Sequence, residues 1–306
     1  MPPKNSSPSV RFPKPLNQYP TNNPPDSENA KAMMPTYHIG TLSPSDLKAL
    51  TGDATEPEND LTRPIFLQPK TWSKAILETK TDISHDSKIF SFRLDHADQT
   101  IGLPIGQHLL MRLRDPTTRD AIIRAYTPIS YGTDKGTLNI LIKIYRDTPT
   151  QKGGKMTQAL DSIPTGHWVD FKGPVGKFTY LGNGQCDISG KKRHVQHFTM
   201  ICGGSGVTPI YQVLRAVTED PADKTECVVL DGNRLEEDIL CRKELDDMVG
   251  HAKDRTRLIH SLSQPTESWK GRRGRMDDAL FEEEAGRKVD CQKDTMILIC
   301  GPEALE

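Results

Sequence analysis

Polar residues dominate the first 60 positions, and no helical or strand period runs through them. Met1–Pro25 is rich in Pro, Asn and Ser and reads as disordered. Met34–Leu42 is the one compact-looking segment before an acidic linker over Gly52–Asp60. From Trp72 the pattern changes to alternation. Trp72–Thr81, Ile89–Leu94, Gly106–Arg114 and Thr137–Tyr145 each switch between apolar and polar residues. Leu109, Met111 and Leu113 share one side of such a strand, and Leu138, Ile140, Ile142 and Ile144 one side of another. Gly154–Leu160 follows as a short helix and Trp168–Lys172 as a further strand. Short strands separated by glycine turns predict a small antiparallel barrel.

After about residue 185 strands and helices alternate. His197–Cys202, Cys227–Leu230, Arg257–Leu262 and Thr295–Cys300 read as buried strands. Between them Thr208–Thr218, Ile239–Val249 and Asp277–Phe281 carry helical spacing. That alternation predicts a parallel sheet with helical crossovers. The expected organisation is therefore an N-terminal segment (1–60), a six-stranded antiparallel barrel (61–185) and an α/β domain with a parallel sheet (186–306).

Composition narrows the function. The 306 residues carry 40 Lys plus Arg against 41 Asp plus Glu, which gives no electrostatic footprint for nucleic acid. Mean hydropathy is -0.58 and no apolar run reaches the length of a membrane span, so a soluble cytoplasmic chain is expected. The 6 cysteines form no Cys-x-x-Cys pair and read as reduced thiols, and no metal site is expected.

Candidate chemistry lies in short stretches. Arg124-Ala125-Tyr126-Thr127-Pro128-Ile129-Ser130 combines a cation, a phenol and hydroxyls. By itself it fits a polar strand end with a turn, and it could also hold a flat polar ring by its hydroxyls and a phosphate by its guanidinium. Gly153-Gly154-Lys155-Met156-Thr157 opens the short helix, where free amides suit a diphosphate. Gly173-Pro174-Val175-Gly176 reads as a tight turn. Gly203-Gly204-Ser205-Gly206-Val207-Thr208-Pro209 joins a strand to a helix and allows close approach of a nucleotide, without the Gly-x-Gly-x-x-Gly spacing. Cys300-Gly301-Pro302 follows the last strand, at the carboxyl edge of the same sheet.

In this order, and together with Gly232–Leu240, these stretches resemble the ferredoxin-NADP reductase superfamily. The nearest group is the cytochrome b5 reductase branch, which includes the flavin portion of fungal-type assimilatory nitrate reductases. The resemblance covers about residues 65–306. It implies an FAD-binding barrel followed by an NAD(P)-binding domain, with NAD(P)H as substrate and a haem acceptor of cytochrome b5 type. It also implies roles for single residues. Arg124 pairs with the FAD diphosphate, Tyr126 contacts the ribityl chain or flavin, and Thr127 lies near the reactive nitrogen, with Ser130 completing the stretch. Gly153, Gly154, Lys155, Met156 and Thr157 bind the FAD phosphates. Gly204, Gly206 and Thr208 line the nicotinamide-nucleotide path, and Cys300, with Gly301 and Pro302, orients the nicotinamide. Asp238 matches an acidic residue at the ribose, while Arg234, Arg272 or Arg273 suits a 2'-phosphate, so NADH and NADPH both stay open. Met34–Leu42 resembles the end of a cytochrome b5 domain and its hinge. No haem-ligand motif, molybdenum domain or terminal aromatic strand is present, and the chain is expected to be a shortened form of a larger redox protein. A free-standing cytochrome b5 reductase and a non-catalytic remnant are the alternatives.

Overall fold

A computed structural model of the chain describes residues 65–115, 118–131, 133–150, 152–284 and 294–302. The expectations for the N-terminal 60 residues lie outside these.

The alternating runs form the barrel. Its strands are β1 (Ser73–Asp82), β2 (Ser87–Arg93), β3 (His108–Arg114), β4 (Ala121–Tyr126), β5 (Thr137–Lys143) and β6 (Trp168–Val175). They make a 6-stranded sheet in the order β4-β3-β6-β1-β2-β5, with antiparallel pairing throughout. The two outer strands approach each other beyond β4. There Ile129 N donates to Asn139 O (2.9 Å) and Asn139 N donates to the Ser130 hydroxyl (3.0 Å). Leu109, Met111 and Leu113 point inward from β3, and Leu138, Ile140 and Ile142 from β5 with Ile144 beyond it. Phe92 meets Phe171 edge-on, with centroids 4.9 Å apart. The core is thus the set of positions that the period of two selects. Helix α1 (Lys155–Ser162) buries Met156, Ala159 and Leu160 against this core and packs on β3 and β4.

Three details differ from the sequence expectation. β4 is a strand that no alternation marked, and Arg124–Tyr126 is its polar end; of its residues only Ile122 is buried. Gly173–Val175 continues β6 through a cis Gly173–Pro174 bond instead of forming a turn. A small antiparallel sheet, β7 (Phe178–Gly182), β8 (Gln185–Ile188) and β9 (Lys191–His194), lies between barrel and α/β half. The expected boundary at 185/186 falls at the start of β8.

The second half is a parallel sheet of β10 (His197–Gly203), β11 (Glu226–Asn233), β12 (Thr256–Leu262), β13 (Arg272–Arg273) and β14 (Thr295–Cys300), ordered β13-β12-β11-β10-β14. Helices α2 (Val207–Glu219) and α3 (Arg242–His251) pack on it, and α4 (Asp278–Glu284) precedes β14. The expected helix 239–249 starts later, because Glu236–Asp238 forms a separate 3-10 turn and Cys241 adopts a left-handed conformation (φ 52) ahead of α3. Cys186, Cys202, Cys227 and Cys241 are buried free thiols. Burial pushes the Cys186 thiol up to about 11 and the Cys241 thiol up to about 12, so both stay protonated. Among the described residues no helix is long and apolar enough to cross a membrane.

Asp223, fully buried, ties the small sheet to the α/β half. It accepts from the Tyr180 hydroxyl, Asn183 N (2.9 Å), Thr225 N (3.0 Å) and the Thr225 hydroxyl (2.6 Å). A buried carboxylate is tolerated only when such donors replace water. Tyr180→Phe should therefore lower stability by about 1–3 kcal/mol in urea denaturation, the cost of leaving a buried acceptor one donor short.

Candidate functional site

A cleft of about 560 Å³ lies where barrel and α/β half meet. The barrel supplies Arg124, Tyr126 and Thr127 from β4 and its continuation, Leu141, Ile142 and Lys143 from β5, Tyr145, and Gly154–Thr157 at the start of α1. The α/β half supplies Ser205, Gly206, Thr208 and Pro209 from the strand-to-helix turn, and Ile299, Cys300 and Gly301 from the end of β14. The structure thus brings together Arg124, Tyr126, Thr127, Gly154, Lys155, Met156, Thr157, Gly206, Thr208, Cys300 and Gly301. These residues come from stretches up to about 180 positions apart in sequence, joined by sheet topology.

The barrel wall is polar and cationic at its mouth. Arg124 and Tyr126 share a face of β4 because they are two residues apart. Arg124 is exposed and spends one nitrogen, Nη1, on the Ile123 carbonyl (2.8 Å). A guanidinium has further donors for an anion. Burial pushes the Tyr126 phenol up to about 12, although the Arg124 charge works the other way. Tyr126 is therefore a protonated hydroxyl at neutral pH. α1 begins at Gly154 with no side-chain cap and no acidic residue in its first turn. Its leading amides and the exposed Lys155 present positive charge to the cleft.

The opposite wall depends on close backbone approach. A Cβ at residue 206 would overlap the Cys300 carbonyl, so only glycine fits between the turn and the end of β14. β10 and β14 are parallel neighbours with Cys202 opposite Cys300, which brings both strand ends to one level. Cys300 is half-buried and faces the cleft, whereas Cys202 is fully buried.

Several expected site residues lie elsewhere. The buried Ser130 hydroxyl accepts from Asn139 N at the barrel seam. Gly153 N donates to Asp147 Oδ1 (2.6 Å), and Gly204 N to Asn233 Oδ1 (3.2 Å). Thr157 lines the cleft, but its hydroxyl already donates to Gly154 O (3.1 Å) and accepts from Tyr145 N (3.2 Å). Pro302 is exposed and outside the lining. Asp238, after β11 in the α/β half, is buried facing the barrel, where Oδ2 accepts from Leu235 N (3.1 Å) and Oδ1 faces Lys143 (3.6 Å). Arg273 Nη2 donates to the carbonyls of Thr266, Glu267 and Trp269, and Arg272 pairs with Glu283 (2.6 Å). Arg273 thus braces its own loop, and Arg272 ties β13 to α4. Arg234 is exposed at the end of β11 and outside the lining.

His108, Lys143 and Tyr145 join the lining without having been expected. Lys143 was readable: it sits between Ile142 and Ile144 in an otherwise apolar run. Its ammonium reaches Asp86 (2.8 Å) and Asp238 (3.6 Å). His85, Asp86 and Asp238 together resemble a cation site, and the Lys143 ammonium serves as a cation for both carboxylates. Burial opposes charge on Lys143, yet the Asp86 hydrogen bond and the two carboxylates outweigh it and raise the pKa. Burial likewise works against the Asp86 charge, and the Lys143 and Ser87 hydrogen bonds reverse that and lower its pKa.

The residues fit the group that their chemistry implies. A long anionic ligand with a flat ring needs a cationic mouth, uncapped helix amides, buried hydroxyls and an apolar floor, and the barrel wall has all four. Comparison with known proteins agrees. Residues 74–180 match the oxidoreductase FAD-binding domain family and residues 200–306 the oxidoreductase NAD-binding domain family. Over 283 residues the chain is 69% identical to a nitrate reductase [NADPH] from Beauveria bassiana, covering 92% of this chain and 31% of that protein. It is 37% identical to a nitrate reductase [NADH] from Zea mays, over 90% of this chain and 46% of that one. The solved cytochrome b5 reductase domain of Ulva prolifera nitrate reductase superposes with a TM-score of 0.73 at 35% identity, covering 79% of this chain and 91% of that one. The chain spans about a third of the length of its fungal relatives.

The Asp86–Lys143–Asp238 bridge has a pH signature. A carboxylate with a lowered folded pKa stabilises fully above its unfolded value, near 3.9, and that gain is lost as pH falls through the folded value. Lys143→Met should lower the melting temperature at neutral pH by about 2–6 °C, from about 1–2 kcal/mol for a partly buried bridge. The gap between variant and wild type should close as melting is followed down below about pH 4.

Proposed function

We propose, for a chain that belongs to the cytochrome b5 reductase family in its nitrate reductase branch, that this cleft carries reducing equivalents from NADPH to FAD and on to a haem-bearing partner. The observation that carries the reading is the shared lining: Arg124, Tyr126 and Lys155 from the barrel face Gly206, Thr208 and Cys300 from the parallel sheet across one cavity. NADPH is preferred over NADH because the fungal relatives, at 51–69% identity, are named for it. The name of the Ulva domain, a cytochrome b5 reductase domain, supports a haem acceptor, and the relatives' names support a part in nitrate reduction. The buried free thiols agree with a reducing compartment, the cytoplasm.

When bound, FAD accepts a hydride from the nicotinamide and releases electrons singly. The protein's own work is positioning. Arg124, Lys155 and the first amides of α1 hold the diphosphate by charge and hydrogen bonds. Tyr126, protonated at neutral pH, would offer its hydroxyl to the ribityl chain or flavin. The buried Thr127 hydroxyl, in the lining, would serve as a hydrogen-bonding group for the flavin. Leu141 and Ile142 give the cavity an apolar floor that excludes water. Gly206 and Thr208 admit the nucleotide on the opposite wall, and Cys300 keeps the nicotinamide in line for transfer. No side chain acts as a general base in this scheme.

Purified chain should show bound flavin, with absorbance near about 450 nm, that bleaches on addition of NADPH. Arg124→Ala should weaken FAD retention about ten- to a hundredfold, the loss of one charge-assisted contact. Cys300→Ser should keep its flavin and bleach about tenfold more slowly, as expected of a lost orienting contact. Unchanged flavin content in Arg124→Ala, or a colourless wild-type protein, would count against the assignment.

A further inference from the structure

A row of polar side chains crosses four neighbouring strands of the parallel sheet at the level of the cleft. Register places Cys202 opposite both Cys300 and Asp231, and Asp231 opposite His260. Partners in register on parallel strands share a face, so the row runs from the cleft, at Cys300, into the sheet's interior. Asp231 is its centre and is 1% exposed. Its carboxylate accepts from the Asn233 side-chain amide (2.9 Å), from His260 Nδ1 (2.9 Å) and from the Cys202 thiol (3.5 Å). Asp246 Oδ1, on α3, lies 3.7 Å from His260 Nε2 on the far side of the imidazole.

A carboxylate buried this deeply is costly, and apolar residues would serve packing as well. Its effect is directional. An ionised carboxylate only accepts hydrogen bonds, so Asn233 must turn its NH2 toward Asp231. That turn aims Asn233 Oδ1 at Gly204 N, which donates to it at 3.2 Å. Gly204 has a positive φ (53) and begins the turn whose next glycine, Gly206, packs against the Cys300 carbonyl. The turn is thus held on one flank by β14 and on the other by Asn233, whose orientation Asp231 sets. His260, donating through Nδ1, holds Asp231 in turn.

We propose that Asp231 is a positioning residue for the nicotinamide nucleotide. Acting through Asn233, it fixes the Gly204–Gly206 turn at the spacing from Cys300 that the nucleotide requires, and His260 buttresses it. This rests on the reading that the turn takes NADPH.

The test uses the full FAD-loaded chain, NADPH as reductant and ferricyanide as the one-electron acceptor. NADP+ affinity is read separately from flavin difference spectra. Asp231→Asn keeps shape and volume but offers a group that can present either an oxygen or an NH2. It should raise both KM for NADPH and Kd for NADP+ about tenfold, the scale of a lost hydrogen bond to a charged group. The value of kcat should fall less than about threefold and flavin content should match wild type, the split expected when binding and not the chemical step is disturbed. Asn233→Ala should behave alike, and the double variant no worse than Asn233→Ala, because both act along one path. Should Asp231→Asn fail to fold, Asn233→Ala carries the same expectation, since it leaves the Asp231–His260 pair in place. A KM and Kd within about twofold of wild type in either folded variant, or fully additive effects in the double variant, would overturn the proposal. Failure of the underlying reading would show in the wild type itself, as flavin that NADPH does not bleach.

Discussion

The cleft depends on one close approach. At residue 206 the chain passes so near the Cys300 carbonyl that no Cβ fits. Two features make the contact possible: the parallel pairing of β10 with β14, which levels their ends, and a glycine where every other residue would push them apart. With the strand ends spread, the turn before α2 would leave the barrel wall, and Thr208 and Cys300 would no longer face Tyr126 across one cavity. The barrel has a close approach of its own, Gly153 against the Tyr145 carbonyl just before α1, and adds to it the side chains of β4 and Lys155. Main-chain geometry therefore shapes both walls, and the barrel wall carries charge as well.

These two contributions explain what the sequence disclosed. Alternation identified the barrel core to the residue in β3 and β5, because the period of two is imposed by burial on one face. β4 escaped since it buries only Ile122, and the β7–β9 sheet escaped since β9 is exposed throughout. Arg124, Tyr126, Lys155, Gly206 and Cys300 were legible because residue type and place in the chain both fit the chemistry. Ser130, Gly153, Gly204 and Asp238 were misplaced for a common reason. Each has the right polar group, but another residue already uses it: Asn139, Asp147, Asn233 and Lys143 respectively. A motif shows which donors and acceptors exist, whereas tertiary pairing decides which are left for a ligand. Arg273 makes the same point, since three loop carbonyls take its Nη2.

The carboxylates buried among the described residues, Asp223, Asp231 and Asp238, stand at joints of the fold. Asp223 joins the small sheet to the loop before β11, and Asp238 meets Lys143 across the two halves. Asp231 lies beneath the turn that forms the cleft wall. Apolar packing would supply cohesion at each place without desolvation cost, but it is non-directional and tolerates sliding. A carboxylate with donors from different segments tolerates none, because a shift of an ångström breaks a bond and leaves a buried charge short of partners. The same logic assigns the two ends of the site different tolerances. Lys143, partly exposed, joins the halves through a bridge that water can replace, which suits an interface that has to admit a dinucleotide. Asp231, 1% exposed, has no such freedom, because three donors from three strands meet on it and no water can replace one that moves away.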